Sequence, residues 1–242
     1  MKITQNGIEV PFVHWQRMKR GGTILGINVP DYLEWINNLE EYLLGIHLQP
    51  PHALRVSLTQ AKKDSSTKLH SPKWSFSVRQ IPYSEEQYQE GVGIIFLEKL
   101  RQDSISLTYI KSPDYPDNQS ALLNMKDRGA FEGIWINQRG ELVEGTKSNI
   151  FFVQNGTLYT PSLTSGCLAG TRRGIVIDLA HKLNIPLQER DVYPMELLEA
   201  EEVFLTNALM GIMPVTQAEN RQIRASVMDG ITQALIKAYK VI

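Results

Sequence analysis

Apolar positions along this chain recur with two different periods. Leu33, Ile36, Leu39, Leu43 and Leu44 follow Asp31 at mostly three- and four-residue spacing. That predicts a helix from Tyr32 to about Leu44, capped by Asp31 and stopped by Gly45. Ile175, Val176, Leu179, Ala180 and Leu183 predict a second amphipathic helix over 170–183, delivered by the loop 161–166. Shorter helices are expected over 121–128 and 195–200, and a last one from about Ala225 to Tyr239. Strands are read from alternating or continuous apolar runs: LRVSL (54–58), WSFSVR (74–79), GVGIIFLEKL, SISLTYIK, GIWIN, ELVEG, SNIFFV, TLYTP and VFL (203–205). Gln138-Arg139-Gly140 and Asn155-Gly156 read as turns between successive strands. Residues 1–30 show no clear period, and Arg17, Lys19 and Arg20 before Gly21-Gly22 read as a solvated turn. Residues 61–73 read as a polar, basic loop.

These elements make an α+β unit followed by a helix and a meander of short strands. Between them, SPDYPDNQS at 112–120 holds two prolines, two aspartates and an asparagine, the composition of a linker. The expected division is a smaller N-terminal α/β domain, 1–111, and a larger C-terminal domain, 121–242.

Composition narrows the function classes. The 242 residues are 42% hydrophobic and 21% charged, as in a globular protein with a substantial core. A net charge of -1 offers no broad basic field, so neither nucleic acid nor an anionic membrane is an expected partner. Cys167 is the single cysteine and excludes an intrachain disulfide, which suits a reducing compartment. MKITQNGIEV lacks the basic start and apolar run of a signal peptide, and the apolar runs are too short to span a bilayer. A cytoplasmic location is expected. His14, His47, His52, His70 and His181 show no close metal-ligand spacing, and no metal is expected.

Four places could carry chemistry. Lys111 ends the run SISLTYI beside a loop, well placed to face a cleft; a lysine that forms a Schiff base needs desolvation or a cationic neighbour. Glu144, in VEGTKSNIFF, could be a buried carboxylate that keeps a heterocyclic nitrogen protonated. Gly170, Thr171 and Arg172 could open a helix whose backbone N–H groups face an anion. Thr206 and Asn207, just past a strand, could add side-chain donors. Each has a plain alternative: a solvated lysine, a surface turn, a simple helix entry and a polar strand end. Cys167, in a turn of small residues, is read as packing.

The order and spacing of these residues closely resemble the class IV aminotransferase signature. Residues 144–173 match it at Glu144, Asn149, Phe151, Thr160, Leu168, Gly170 and Arg173, and Thr171 departs from its usual aliphatic residue. Lys111 precedes a helix and Gly129-Ala130-Phe131-Glu132 at the family's separation. The resemblance spans 105–215 and implies a pyridoxal 5'-phosphate enzyme. It implies two α/β domains of the D-amino acid aminotransferase type with the cofactor in the interdomain cleft, and a homodimer acting on a small-molecule substrate. By the same resemblance Lys111 carries the Schiff base and acts as acid and base, Glu144 holds the pyridine nitrogen, and the 170–172 turn with Asn207 holds the phosphate, to which Thr206 is a candidate further donor. LTNALMGIMPV looks like the aminodeoxychorismate lyase branch, which releases 4-aminobenzoate and pyruvate from 4-amino-4-deoxychorismate. The alternatives are a transaminase for branched-chain or D-amino acids and a non-catalytic member. The family's D-R-G-F opening segment is absent from 7–25, and Trp35 stands where an H-L-x-R-L helix would place a phosphate-binding arginine.

Overall fold

A computed structural model describes residues 1–46, 49–59, 73–98, 100–101, 110–111, 118–223 and 229–241. Most of the expected strand over 104–111, most of the 61–73 loop, the front of the 112–120 linker and the start of the last helix lie outside the described residues. The chain forms two compact units, Met1–Pro82 and Tyr83–Ile242.

The first unit contains β1 (Lys2–Thr4), β2 (Gly7–Ile8), α1 (Pro11–Leu25), α2 (Tyr32–Leu44), β3 (His52–Thr59) and β4 (Lys73–Gln80). Its antiparallel sheet has the order β2-β1-β3-β4. α2 matches its predicted bounds, and the Asp31 side chain accepts the Glu34 N–H at 2.9 Å. The buried face differs from the predicted one. Trp35 and Leu39 join Ile3 and Leu54 in the core, whereas Leu33 and Leu44 are 70% and 85% exposed. Trp35, 1% exposed, is therefore a packing residue of this unit.

The expected turn near Gly21-Gly22 is instead the interior of α1. Both glycines are buried. A β-carbon on Gly22 would lie 2.5 Å from Val29 Cγ2 and 2.8 Å from the Ile27 carbonyl oxygen. The missing side chain lets the segment after the helix fold back against it, a packing role that reads locally as a helix breaker. Gly22→Ala should therefore destabilise the protein by about 1–3 kcal/mol through overpacking, despite alanine's higher helix propensity. A urea melt checks this, and a stabilised variant would refute it.

The second unit contains α3 (Glu85–Glu90), β5 (Val92–Phe96), α4 (Asn118–Asp127), β6 (Glu132–Ile136), β7 (Leu142–Gly145), β8 (Asn149–Gln154) and β9 (Thr157–Pro161). These are followed by α5 (Thr171–Lys182), β10 (Leu187–Arg190), α6 (Pro194–Leu198), β11 (Glu202–Asn207), β12 (Gly211–Ala218), β13 (Arg221–Gln222) and α7 (Ile231–Tyr239). Its nine-stranded mixed sheet runs β10-β9-β8-β11-β12-β5-β6-β7, with β13 on β12. The boundary between units falls before β5, earlier than the expected 112–120 linker. The reason is that β5 is hydrogen-bonded between β12 and β6, inside the larger sheet.

The central strands are buried on both faces. Ile150, Phe152, Val203 and Leu205 enter one core with Met213 and Val215. Their alternates Phe151, Val153 and Phe204 enter a second core with Val176, Leu179 and Ala180 of α5 and Leu235 of α7. Phe151 and Phe204, register partners on β8 and β11, stack with centroids 5.0 Å apart. Asn155 and Gly156 both have positive φ in the tight β8–β9 hairpin. This rigid double-sided sheet positions the side chains at the ends of β7, β8 and β11.

Candidate active site

Glu144 lies at the end of β7 and is 8% exposed. Its Oε1 accepts from Arg101 Nη1 at 2.5 Å. Its Oε2 accepts from the Leu168 backbone N–H at 2.9 Å and from Asn149 Nδ2 at 3.3 Å. Burial pushes the carboxyl above the usual carboxylate range, against the pull of Arg101, the Leu168 N–H and Lys111. Lys111 is exposed and follows the buried Ile110. Its charge acts on Glu144, so the two residues share one electrostatic environment.

Asn149 joins this carboxylate to the entry of α5. Its Nδ2 also donates to the Leu168 carbonyl at 2.9 Å. Gly170 is the N-cap of α5, and a β-carbon there would lie 2.0 Å from Asn149 Oδ1. Only glycine lets the helix start approach so closely. No side chain caps α5 at Gly170, and the first N–H groups of any helix lack intrahelical acceptors. Thr171, Arg172 and Arg173 are all buried in this first turn. Arg173 donates to the Pro161 carbonyl and to Glu189, tying the helix to β9 and β10. The Arg172 guanidinium lies over the Tyr239 ring of α7, 5.6 Å from its centroid.

Thr206 is the register partner of Asn149. It lies two residues from Phe204, on the β11 face that packs on α5. It is 1% exposed, and its Oγ1 has no hydrogen-bond partner among the described residues. A buried hydroxyl without a partner is costly, and a ligand oxygen at the α5 entry would satisfy it. Asn207, expected at the phosphate, has its amide engaged in the turn that follows β11. Its Oδ1 accepts the Leu209 and Met210 N–H groups at 2.9 Å each, and its Nδ2 donates to Tyr83 Oη at 3.0 Å. It shapes the β11–β12 turn, which Tyr88 Oη also holds through the Met210 carbonyl.

The structure thus brings Glu144, Gly170, Thr171 and Thr206 into one region, with Lys111 within electrostatic reach. Sequence reasoning missed Arg101. A partner 43 residues from Glu144, outside the matched stretch, gives no local signal. Thr160, a signature position, donates to the Ile150 carbonyl at 2.8 Å and is purely structural. Cys167 is packed, and burial pushes its thiol up to about 11. Among the described residues no cluster of His, Cys, Asp and Glu could hold a metal, and no helix is long and apolar enough to cross a membrane.

The sequence model of the family "amino-transferase class IV" matches residues 2–218. The chain belongs to the class IV aminotransferases. These enzymes use pyridoxal 5'-phosphate. A branched-chain-amino-acid aminotransferase of Pseudomonas aeruginosa is 31% identical over 157 residues, 64% of this chain and 51% of that enzyme. The chain spans about half the length, or less, of the curated relatives it matches first. The 4-amino-4-deoxychorismate lyase of Pseudomonas aeruginosa superposes with a TM-score of 0.81 at 26% identity, covering 95% of this chain and 84% of the lyase. An aminotransferase from Brucella abortus bound to the cofactor PLP superposes with a TM-score of 0.84 at 20% identity, covering 99% and 86%. The two-domain α/β fold of the class IV aminotransferases is thereby shown.

The residues of this class IV aminotransferase fit the cofactor. The partnerless Thr206 hydroxyl beside an uncapped helix start suits a phosphate group. Glu144 Oε1 accepts from Arg101, and a carboxylate oxygen has capacity for a second donor such as a pyridinium N–H.

Proposed function

We propose that this protein is an aminodeoxychorismate lyase, converting 4-amino-4-deoxychorismate to 4-aminobenzoate and pyruvate. The observation that carries the reading is the turn Asn207-Ala208-Leu209-Met210. Its sequence resembles that of the lyase branch, and Asn207, Tyr83 and Tyr88 hold it in place. The likeness to the Pseudomonas aeruginosa lyase supports it.

In this reading Lys111 is the residue that would hold the cofactor covalently. Bound pyridoxal phosphate supplies an electron sink for negative charge at the carbon bearing the amine. Glu144 keeps the ring nitrogen protonated, and Arg101 fixes that carboxylate. The N–H groups of Thr171 and Arg172 beside Gly170, with the Thr206 hydroxyl, hold the phosphate. Asn207 acts through the turn it shapes. The Lys111 amine, once free, removes the proton from the amine-bearing carbon. The enolpyruvyl oxygen then leaves the neighbouring carbon, the ring becomes aromatic, and the leaving group takes up a proton as pyruvate. The protein works as a homodimer in the cytoplasm.

A second reading, a transaminase of branched-chain amino acids, is favoured by the match to the Pseudomonas aeruginosa enzyme. Incubation of the cofactor-loaded protein with 4-amino-4-deoxychorismate separates the two. The lyase releases equal amounts of 4-aminobenzoate and pyruvate with no acceptor present. Formation of a 2-oxo acid only when a second 2-oxo acid is added would replace the lyase reading with the transaminase.

A further inference from the structure

We propose that Glu132 is a positioning residue: its carboxylate fixes the 145–148 turn and thereby sets the Glu144–Asn149 pair that receives the cofactor ring. The inference rests on the role given to Glu144 above.

Glu132 opens β6 and is 0% exposed. Its Oε1 accepts from the Thr146 hydroxyl at 2.5 Å, the Thr146 N–H at 3.1 Å and the Gly133 N–H at 3.2 Å. Its Oε2 accepts from the Ser148 hydroxyl at 2.8 Å. Three of these four donors belong to the turn, which links Glu144 directly to Asn149. The turn is closed on itself as well, with the Gly145 N–H donating to the Ser148 carbonyl at 2.7 Å. A β-carbon on Gly145 would lie 2.3 Å from Ser148 Oγ and 2.8 Å from Glu132 Cγ. The carboxylate is wedged under the turn.

A carboxylate is an expensive choice for a buried wall. Burial pushes it above its usual range, against the charge of Lys147 and the hydroxyls of Thr146 and Ser148. An apolar residue would often fill such a place at lower cost. What an apolar residue cannot do is gather three donors of one turn onto a single side chain. Two residues bordering that turn, Glu144 and Asn149, bond to each other and to Leu168 at the α5 entry. A small rotation of the turn would move Glu144 Oε1 away from its place beside Arg101. Hydrogen-bond acceptance at Glu132 Oε1, not the charge, is the property that matters.

The experiment compares the wild type with Glu132→Ala, Glu132→Gln and Thr146→Val, with Glu144→Ala as reference. Two readouts are taken: amide hydrogen exchange of the cofactor-free protein, and pH titration of the visible absorbance of bound pyridoxal phosphate. Glu132→Ala should speed exchange over 145–149 about tenfold while peptides of α5 and β11 stay as in the wild type. It should also move the absorbance midpoint by about one pH unit in the direction that Glu144→Ala moves it. Glu132→Gln keeps the Oε1 acceptor and should restore both. Thr146→Val, exposed enough to be accommodated if Glu132→Ala does not fold, should shift both in the same direction by less. Wild-type exchange and midpoint in Glu132→Ala and Thr146→Val, or a Glu132→Gln variant no better than Glu132→Ala, overturn the proposal. A wild type that binds no cofactor refutes the functional reading itself, which is a different result.

Discussion

Lys111→Ala should abolish covalent capture of pyridoxal phosphate and lower turnover at least about a thousandfold, the scale of a lost general acid–base group. Borohydride reduction of the loaded wild type followed by peptide mass analysis should place the pyridoxyl group on Lys111. The variant should carry none. The described alternatives are poorly placed. Lys126 lies within α4, and Lys147 donates to the Phe131 carbonyl with its ammonium over the Phe131 ring. Lys111→Arg separates chemistry from field: it keeps a cation acting on Glu144 but cannot form the covalent link. It should bind cofactor reversibly and turn over no faster than Lys111→Ala. Adduct formation at another lysine in the alanine variant would move the attachment point elsewhere.

The second large effect concerns the Arg101–Glu144 pair, whose side chains are 16% and 10% exposed. For such a pair the desolvation of two charges rivals their attraction, yet removal of one partner takes that attraction from a charge that stays largely buried. Glu144→Ala should therefore destabilise the fold by about 3–5 kcal/mol. It also removes the acceptors of the Leu168 N–H and one Asn149 bond, loosening the α5 entry. Cofactor affinity should fall in parallel. Glu144→Gln retains an acceptor for Arg101 and should cost less in stability, while weakening the hold on a protonated ring nitrogen. Denaturant midpoints and cofactor titrations give both quantities. Unchanged stability in Glu144→Ala would mean that Arg101 finds another partner or water.

Much of this fold was legible because the deciding interactions are local. Asp31 caps α2 through a residue three positions away, and Asn155-Gly156 carries its hairpin in two residues. Where packing from distant segments decides, the local pattern misled. Gly22 of α1 makes room for Val29 and Ile27 and does not form a turn. Leu33 and Leu44 have helical spacing but lie outside the arc that Trp35 and Leu39 bury. β12 is a central strand interrupted by Pro214, which sits just before pairing with β5 begins at Val215, so a rule that demotes proline-containing strands hides it. The site divides in the same way. Glu144, Asn149 and Gly170 stand in a motif because they meet within one short stretch. Arg101 and Glu132 reach them from earlier in the chain: Glu132 showed only as the end of Gly129-Ala130-Phe131-Glu132, and Arg101 had no spacing signal of its own. Asn207 was visible as a residue, but whether an asparagine holds a ligand or a turn depends on where its amide points.

The pairing of β5 with β12 has a consequence for biogenesis. Val92 meets Val215, so an interior strand waits for a partner made more than a hundred residues later. During synthesis at roughly 5–20 residues per second, β5 presents an unsatisfied edge for several seconds after it leaves the ribosome. Such an edge invites association with other nascent chains, and the yield of native protein should therefore depend on chaperone supply and expression temperature.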